Sequence, residues 1–181
     1  MMRKQLLTIK ALAEREGAPR ARRRRVADED SRLFGGHYDY ADSFEVDVPE
    51  ADARTPEQAF RAALARGPSV ARYVPVVPVV HQHILRFRLG PLDSADHLFG
   101  WQVVTSTPTV LRLEAAGPLL RGTIVGRKTD SSTLAFTTFV DYVRPVPARV
   151  IWTLVSPLHR LIAPHLLEWA AAPQEVSSVR T

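Results

Sequence analysis

The chain has no cysteine among its 181 residues and only two methionines. Without cysteine there are no disulfides, no thiolate zinc ligands and no cysteine nucleophile, and the composition fits a reducing compartment, so the expected location is cytoplasmic. A long uninterrupted apolar run is also missing. The most apolar window, residues 153–172, contains Pro157, Arg160, Pro164 and Glu168, a set that a spanning helix rarely tolerates together. Near the beginning, Arg3 and Lys4 precede an apolar stretch that Lys10 and Glu14 interrupt, which is not the pattern of a signal peptide. There is no HExxH-like pattern and no serine in a strand-turn-helix elbow. No strand-loop-helix unit surrounds Gly117, Gly122 and Gly126, so they form no phosphate cradle; inside a strand, Gly122 and Gly126 read as bulges or strong curvature. No catalytic or metal signature stands out, and no cofactor is expected.

The net charge of +5 suggests a polyanionic partner until it is divided along the chain. Residues 1–26 hold nine Lys/Arg and two Asp/Glu, a balance of +7, whereas residues 27–181 hold fifteen and seventeen, a balance of −2. The basic excess belongs to an N-terminal segment. Residues 3–16 fit a short amphipathic helix, and the following stretch through Arg22, Arg23, Arg24 and Arg25 repels itself and has no apolar period, so residues 17–32 read as a mobile linker. The expected organisation is a basic arm at 1–32, one folded domain at 33–172 and a tail at 173–181. A chain lacking residues 1–26 is accordingly expected to keep its fold.

Within the domain, Asp42 to Val48 alternates with the period of a half-buried strand, placing Phe44, Val46 and Val48 on one face. Thr55, Pro56 and Gln58 form the signature of a capped helix that buries Ala59, Phe60, Ala63 and Leu64. A second, irregular helix is expected within residues 68–90. Strand-like segments then follow at 100–106, 109–115, 119–128 and 133–144, joined by turn compositions short enough to require antiparallel neighbours. Finally Val150, Leu154, Leu158, Leu161, Ile162, Leu166 and Trp169 recur at spacings of three and four, predicting a long helix kinked at Pro157 and again at Pro164. A strand at 150–155 followed by a helix is the alternative. The fold class is α+β: an antiparallel sheet packed against a long C-terminal helix.

The order strand, two helices, meander, long helix resembles the SRPBCC superfamily of START-like and birch-pollen-allergen-like proteins. The residues that carry the likeness are Tyr38 to Val46, Gly100-Trp101 and Leu154 to Ile162, and they are most similar to an uncharacterised bacterial family within it. The resemblance spans residues 38–172. It implies a helix-grip fold, in which a curved sheet wraps the last helix around an apolar cavity, and it implies no particular chemistry.

The leading expectation is therefore a binding protein for a small apolar or amphipathic molecule, with Trp101, Arg127, Phe136, Val140, Tyr142, Trp152 and Leu158 as ligand-binding candidates. Along the last strand Leu134, Phe136, Thr138, Val140 and Tyr142 share the expected inner face, and Arg127 is expected to anchor a ligand carboxylate from the cavity rim. A second expectation is a cyclase or dehydratase acting in the same cavity, with His159 oriented by Asp141, or with Tyr142, as acid or base. A third is a scaffold whose arm, through Arg22, Arg23, Arg24 and Arg25, makes weak contact with anionic membrane or nucleic acid. His81 and His83 read as ordinary histidines; a metal site needs a third ligand that the sequence does not supply.

Overall fold

The computed structural model describes residues 19–65 and 79–173. The amphipathic segment at 3–16, most of the expected second helix and the C-terminal tail beyond Pro173 lie outside these residues. The described chain is mixed α+β, and its strands form one eight-stranded antiparallel sheet in the order β1-β2-β8-β7-β6-β5-β4-β3.

The arginine run is the first element rather than part of a mobile linker. Arg22–Arg24 is strand β1, paired antiparallel to β2 (Tyr40–Asp47). Its side chains find carboxylates: Arg22 Nε reaches Glu45 Oε1 at 2.8 Å and its other nitrogens reach Asp47, while Arg24 binds Asp30. Helix α1 (Asp28–Phe34) follows, with three acids in its first turn, where the positive end of the helix dipole stabilises them, and Gly35 at φ 74° closing it. The linker expectation thus fails from Arg22 onward. It missed the acids of β2 and α1, which supply the counter-charges the arginine run lacks by itself.

Helix α2 (Pro56–Ala65) begins as its sequence requires. Thr55 N–H donates to Gln58 Oε1 at 2.9 Å and Gln58 N–H donates to Thr55 Oγ1 at 3.2 Å, a reciprocal capping box. Among the described residues the segment after it holds only a π-helical turn, Val80–Ile84, which ends at Arg86 with φ 55°. Two short strands, β3 (Asp93–Ser94) and β4 (His97–Leu98), lead into the meander β5 (Trp101–Ser106), β6 (Val110–Ala116), β7 (Leu120–Asp130) and β8 (Thr133–Tyr142). The last element is one helix, α3 (Pro145–Ala171), with both Pro157 and Pro164 inside it, so the strand alternative at 150–155 is excluded.

Helices α2 and α3 pack on each other and on one face of the sheet. The core between them holds Phe44, Val46, Phe60, Leu111, Leu113, Leu134, Phe136, Val140, Trp152 and Leu167. On the opposite face α1 lies over β7, with Phe34 stacked on Phe139 at 4.7 Å. Here Asp30, fully buried, accepts from Arg127 Nε at 2.8 Å, from Thr137 Oγ1 at 2.8 Å and from Arg24. Three donors on one carboxylate make this buried charge tolerable.

Candidate functional site

Between α3 and the sheet lies a mostly apolar cavity of about 70 Å³, partly open to solvent. Each wall follows from strand or helix period. Strand β7 contributes Gly122 and Ile124, β8 contributes Phe136, Thr138 and Val140, and α3 contributes Trp152, Val155, Leu158, His159, Ile162 and Ala163. Trp101 and the π-helical turn with Phe87 close the remaining side. The volume is well below the roughly 300–1,000 Å³ of sites for drug-sized ligands, so this conformation admits a molecule of a few heavy atoms rather than a long acyl chain.

Four polar groups stand in or beside this wall. His159 Nε2 lies 3.1 Å from Asp42 Oδ1, and the hydroxyl of Tyr40 donates to Asp42 Oδ2 at 2.6 Å. Burial alone would raise the Asp42 carboxyl, but the hydrogen bond and charge of His159, helped by Tyr40 and Arg160, outweigh it and hold the group below the usual carboxylate range. An ionised Asp42 makes His159 Nε2 the protonated nitrogen, leaving Nδ1 as the acceptor whenever the ring is neutral. Tyr40 is pushed up to about 12, chiefly by burial and then by the Asp42 hydrogen bond, and therefore stays a hydroxyl donor at neutral pH. His81 faces the cavity from the other side. Trp101 Nε1–H donates to its Nδ1 at 3.3 Å, and enclosure against Phe87 and Trp101 together with the charge of His159 pushes its pKa down to about 4.

Two further polar atoms are buried in the wall without any hydrogen-bond partner among the described residues: the indole Nε1 of Trp152 and the hydroxyl of Thr138. Both side chains are at most 5% exposed. Trp152 is wedged between Tyr40 and His159, with ring centroids 5.1 Å and 5.5 Å away, so its orientation is fixed by packing.

Trp101, Phe136, Val140, Trp152, Leu158 and His159 all line the cavity, as the sequence placed them. Arg127 does not. It points to the opposite face of the sheet, bonded to Asp30 and to Glu29 at 2.7 Å, because odd-numbered residues of β7 face α1. Asp141 is on that same outer face and cannot orient His159; Asp42 takes the role. Tyr142 packs at the rim of the core beyond the cavity, its hydroxyl raised by burial and by the charge of Asp39. Asp141 instead gathers with His37 and Asp39, their ligand atoms all within 4.8 Å of one another, on the largely exposed outer surface.

Asp42 and Tyr40 were not singled out as site residues from sequence, and His81 was read there as an ordinary histidine. The alternation of β2 does hold the signal for the first two, since positions 40 and 42 share parity with Phe44 and Val46 and must face the core. Comparison with known proteins adds no assignment: no family model, no curated protein and no solved structure matches the chain.

Proposed function

We propose that the protein binds a small, mostly apolar molecule carrying a hydrogen-bond acceptor, held between the sheet and α3. The observation that carries this reading is the pair of unpartnered polar atoms in the cavity wall, Trp152 Nε1 and Thr138 Oγ1. A buried donor left unsatisfied costs about 1–3 kcal/mol, and a ligand that supplies its partner recovers that cost on binding. The indole N–H only donates, so its complement is a carbonyl, ether or carboxylate oxygen; the Thr138 hydroxyl accepts or donates to the same group. As part of the same proposal, the sheet, the cavity and α3 correspond to the layout of a helix-grip fold, in keeping with the SRPBCC resemblance.

A second reading has its own support in the Asp42–His159 pair. With Nε2 held by an ionised carboxylate, Nδ1 of His159 is an oriented base, the arrangement that proton abstraction next to a ligand carbonyl needs. This corresponds to a cyclase or dehydratase acting in the same cavity.

Cyclohexanone, compact and apolar except for one acceptor, is the probe for the binding reading. It should shift the indole N–H resonance of Trp152, identified by its absence in Trp152→Phe, and leave that of Trp169, which does not line the cavity, nearly unmoved. Ala163→Leu, which fills the cavity from α3, should abolish that shift. An unmoved Trp152 resonance at saturating probe, with nothing retained by freshly purified protein in native mass spectrometry, would overturn the proposal.

A further inference from the structure

The outward face of α3 is unlike a solvated helix surface. Val146, Val150, Leu154 and Leu161 are 76%, 57%, 75% and 53% exposed, and with Pro157, also exposed, they follow one another at intervals of four, four, three and four residues. At 3.6 residues per turn this spacing keeps all five side chains within an arc of about 80° over a length of about 22 Å. Single aliphatic residues scattered on a surface mean little, whereas a contiguous stripe marks an interaction surface. Its charge is equally one-sided. Arg149 and Arg160 are exposed along one flank, Arg144 is exposed at the N-terminus of the helix, and no Asp or Glu occurs between Asp141 and Glu168.

We propose that this face of α3 lies on an anionic lipid bilayer, with the aliphatic stripe entering the acyl boundary and the arginines meeting headgroup phosphates. An apolar face flanked by basic residues is the pattern of helices that lie in the membrane interface. A second copy of the chain fits less well. Arg149 and Arg160 lie on one flank, five residues before and six after Leu154, so antiparallel pairing centred there brings Arg149 of one copy near Arg160 of the other, with no acid on the helix between Arg144 and Leu167 to offset the repulsion. A spanning role fits less well again, since it would strip Trp152, Ala163, Leu167 and Ala170 from the core they fill. Lying on the surface leaves that packing intact, and the inference stands apart from the cavity.

The test uses the full chain and sedimentation with vesicles of phosphatidylcholine alone or mixed with phosphatidylglycerol. Binding should require the anionic lipid and weaken as salt rises. Leu154→Asp should lower affinity by about tenfold or more, because it sets a carboxylate in the apolar stripe. Arg149→Gln should lower it about fivefold, the effect of one charge near the headgroups. Both positions are exposed, so circular dichroism should not change. Arg23→Ala with Arg25→Ala, which leave the two acid-paired arginines of β1 in place, should have no effect. The proposal is overturned if the parent chain binds neither vesicle, if Leu154→Asp binds as the parent does, or if binding is lost in the Arg23/Arg25 variant, which would assign it to the arginine run. A dimer that Leu154→Asp dissolves, with no vesicle binding by the parent, would overturn it in favour of self-association.

Discussion

His81 is a histidine whose surroundings oppose its proton. Its pKa falls to about 4, first because burial penalises the charged ring and second because His159 stands nearby, against an ordinary value of 6.5. Between these two values the unfolded chain binds a proton that the folded chain does not. Stability is therefore fully present above pH 6.5 and is lost as pH falls toward 4, by up to about 3 kcal/mol for a shift of this size. Urea midpoints measured across this window should decline with acidity, and His81→Gln, which keeps an acceptor for Trp101 but cannot titrate, should flatten most of that decline. An unchanged slope in the variant would assign the pH dependence to another group. The polar wall of the site was only partly legible in advance, for a reason visible at single residues. Strand parity correctly placed Phe136, Thr138 and Val140, but parity cannot say which of two faces meets the helix, and Arg127 was assigned to the wrong one. His81 read as an ordinary histidine, since its enclosure depends on Trp101 and Phe87 arriving from elsewhere in the chain.

Among the elements, the glycines of β7 were expected to mark bulges or strong curvature, and the first of these does not occur. The register breaks fall between Val103 and Thr105 and between Lys128 and Asp130, so neither Gly122 nor Gly126 marks a bulge. Each instead leaves room for an aromatic ring. A Cβ at Gly122 would lie 2.5 Å from Trp101 Cη2, and one at Gly126 would lie 2.8 Å from Phe60 Cε2. Gly126→Ala should cost about 1–3 kcal/mol, typical of overpacking a closed core, because Phe60 is itself wedged against Phe136. Denaturant titration measures this directly, and a neutral result would mean that the Phe60 ring moves aside freely. Helix α3 gives the complementary lesson. Its existence and length were legible, yet only part of the expected stripe faces inward, Leu158 and Ile162 among it. Val150, Leu154 and Leu161 are outside, whereas Ala148, Trp152, Ala163, Leu167 and Ala170 are inside. A helix that is apolar nearly all round has no period that picks out its inner face, and alanines at a close helix contact carry little hydrophobic signal.

For the whole molecule, the segment before β2 is a structural layer of the domain. Asp30 joins α1 to β7, β8 and β1 through Arg127, Thr137 and Arg24, and removing it leaves two mostly buried guanidinium groups with weaker partners, Arg127 with the exposed Glu29 and Arg24 with Glu45 at 3.8 Å. Asp30→Ala should therefore cost about 3–5 kcal/mol, the usual penalty for breaking one side of a buried ion pair. Thermal unfolding measures the loss, and a shift no larger than that of an exposed substitution would show that α1 is dispensable. By the same geometry, a chain beginning at residue 27, which loses β1 and with it Arg24, should be less stable than the full chain. The position of β1 has a last consequence. It is the terminal strand of the sheet among the described residues, and its three successive arginines, two of them already tied to carboxylates of the domain, are the long charged side chains that make an edge a poor template for a strand from another molecule. At the other end β3 is only two residues long. A sheet of eight strands is thus closed to edgewise aggregation at one border by charge and at the other by brevity.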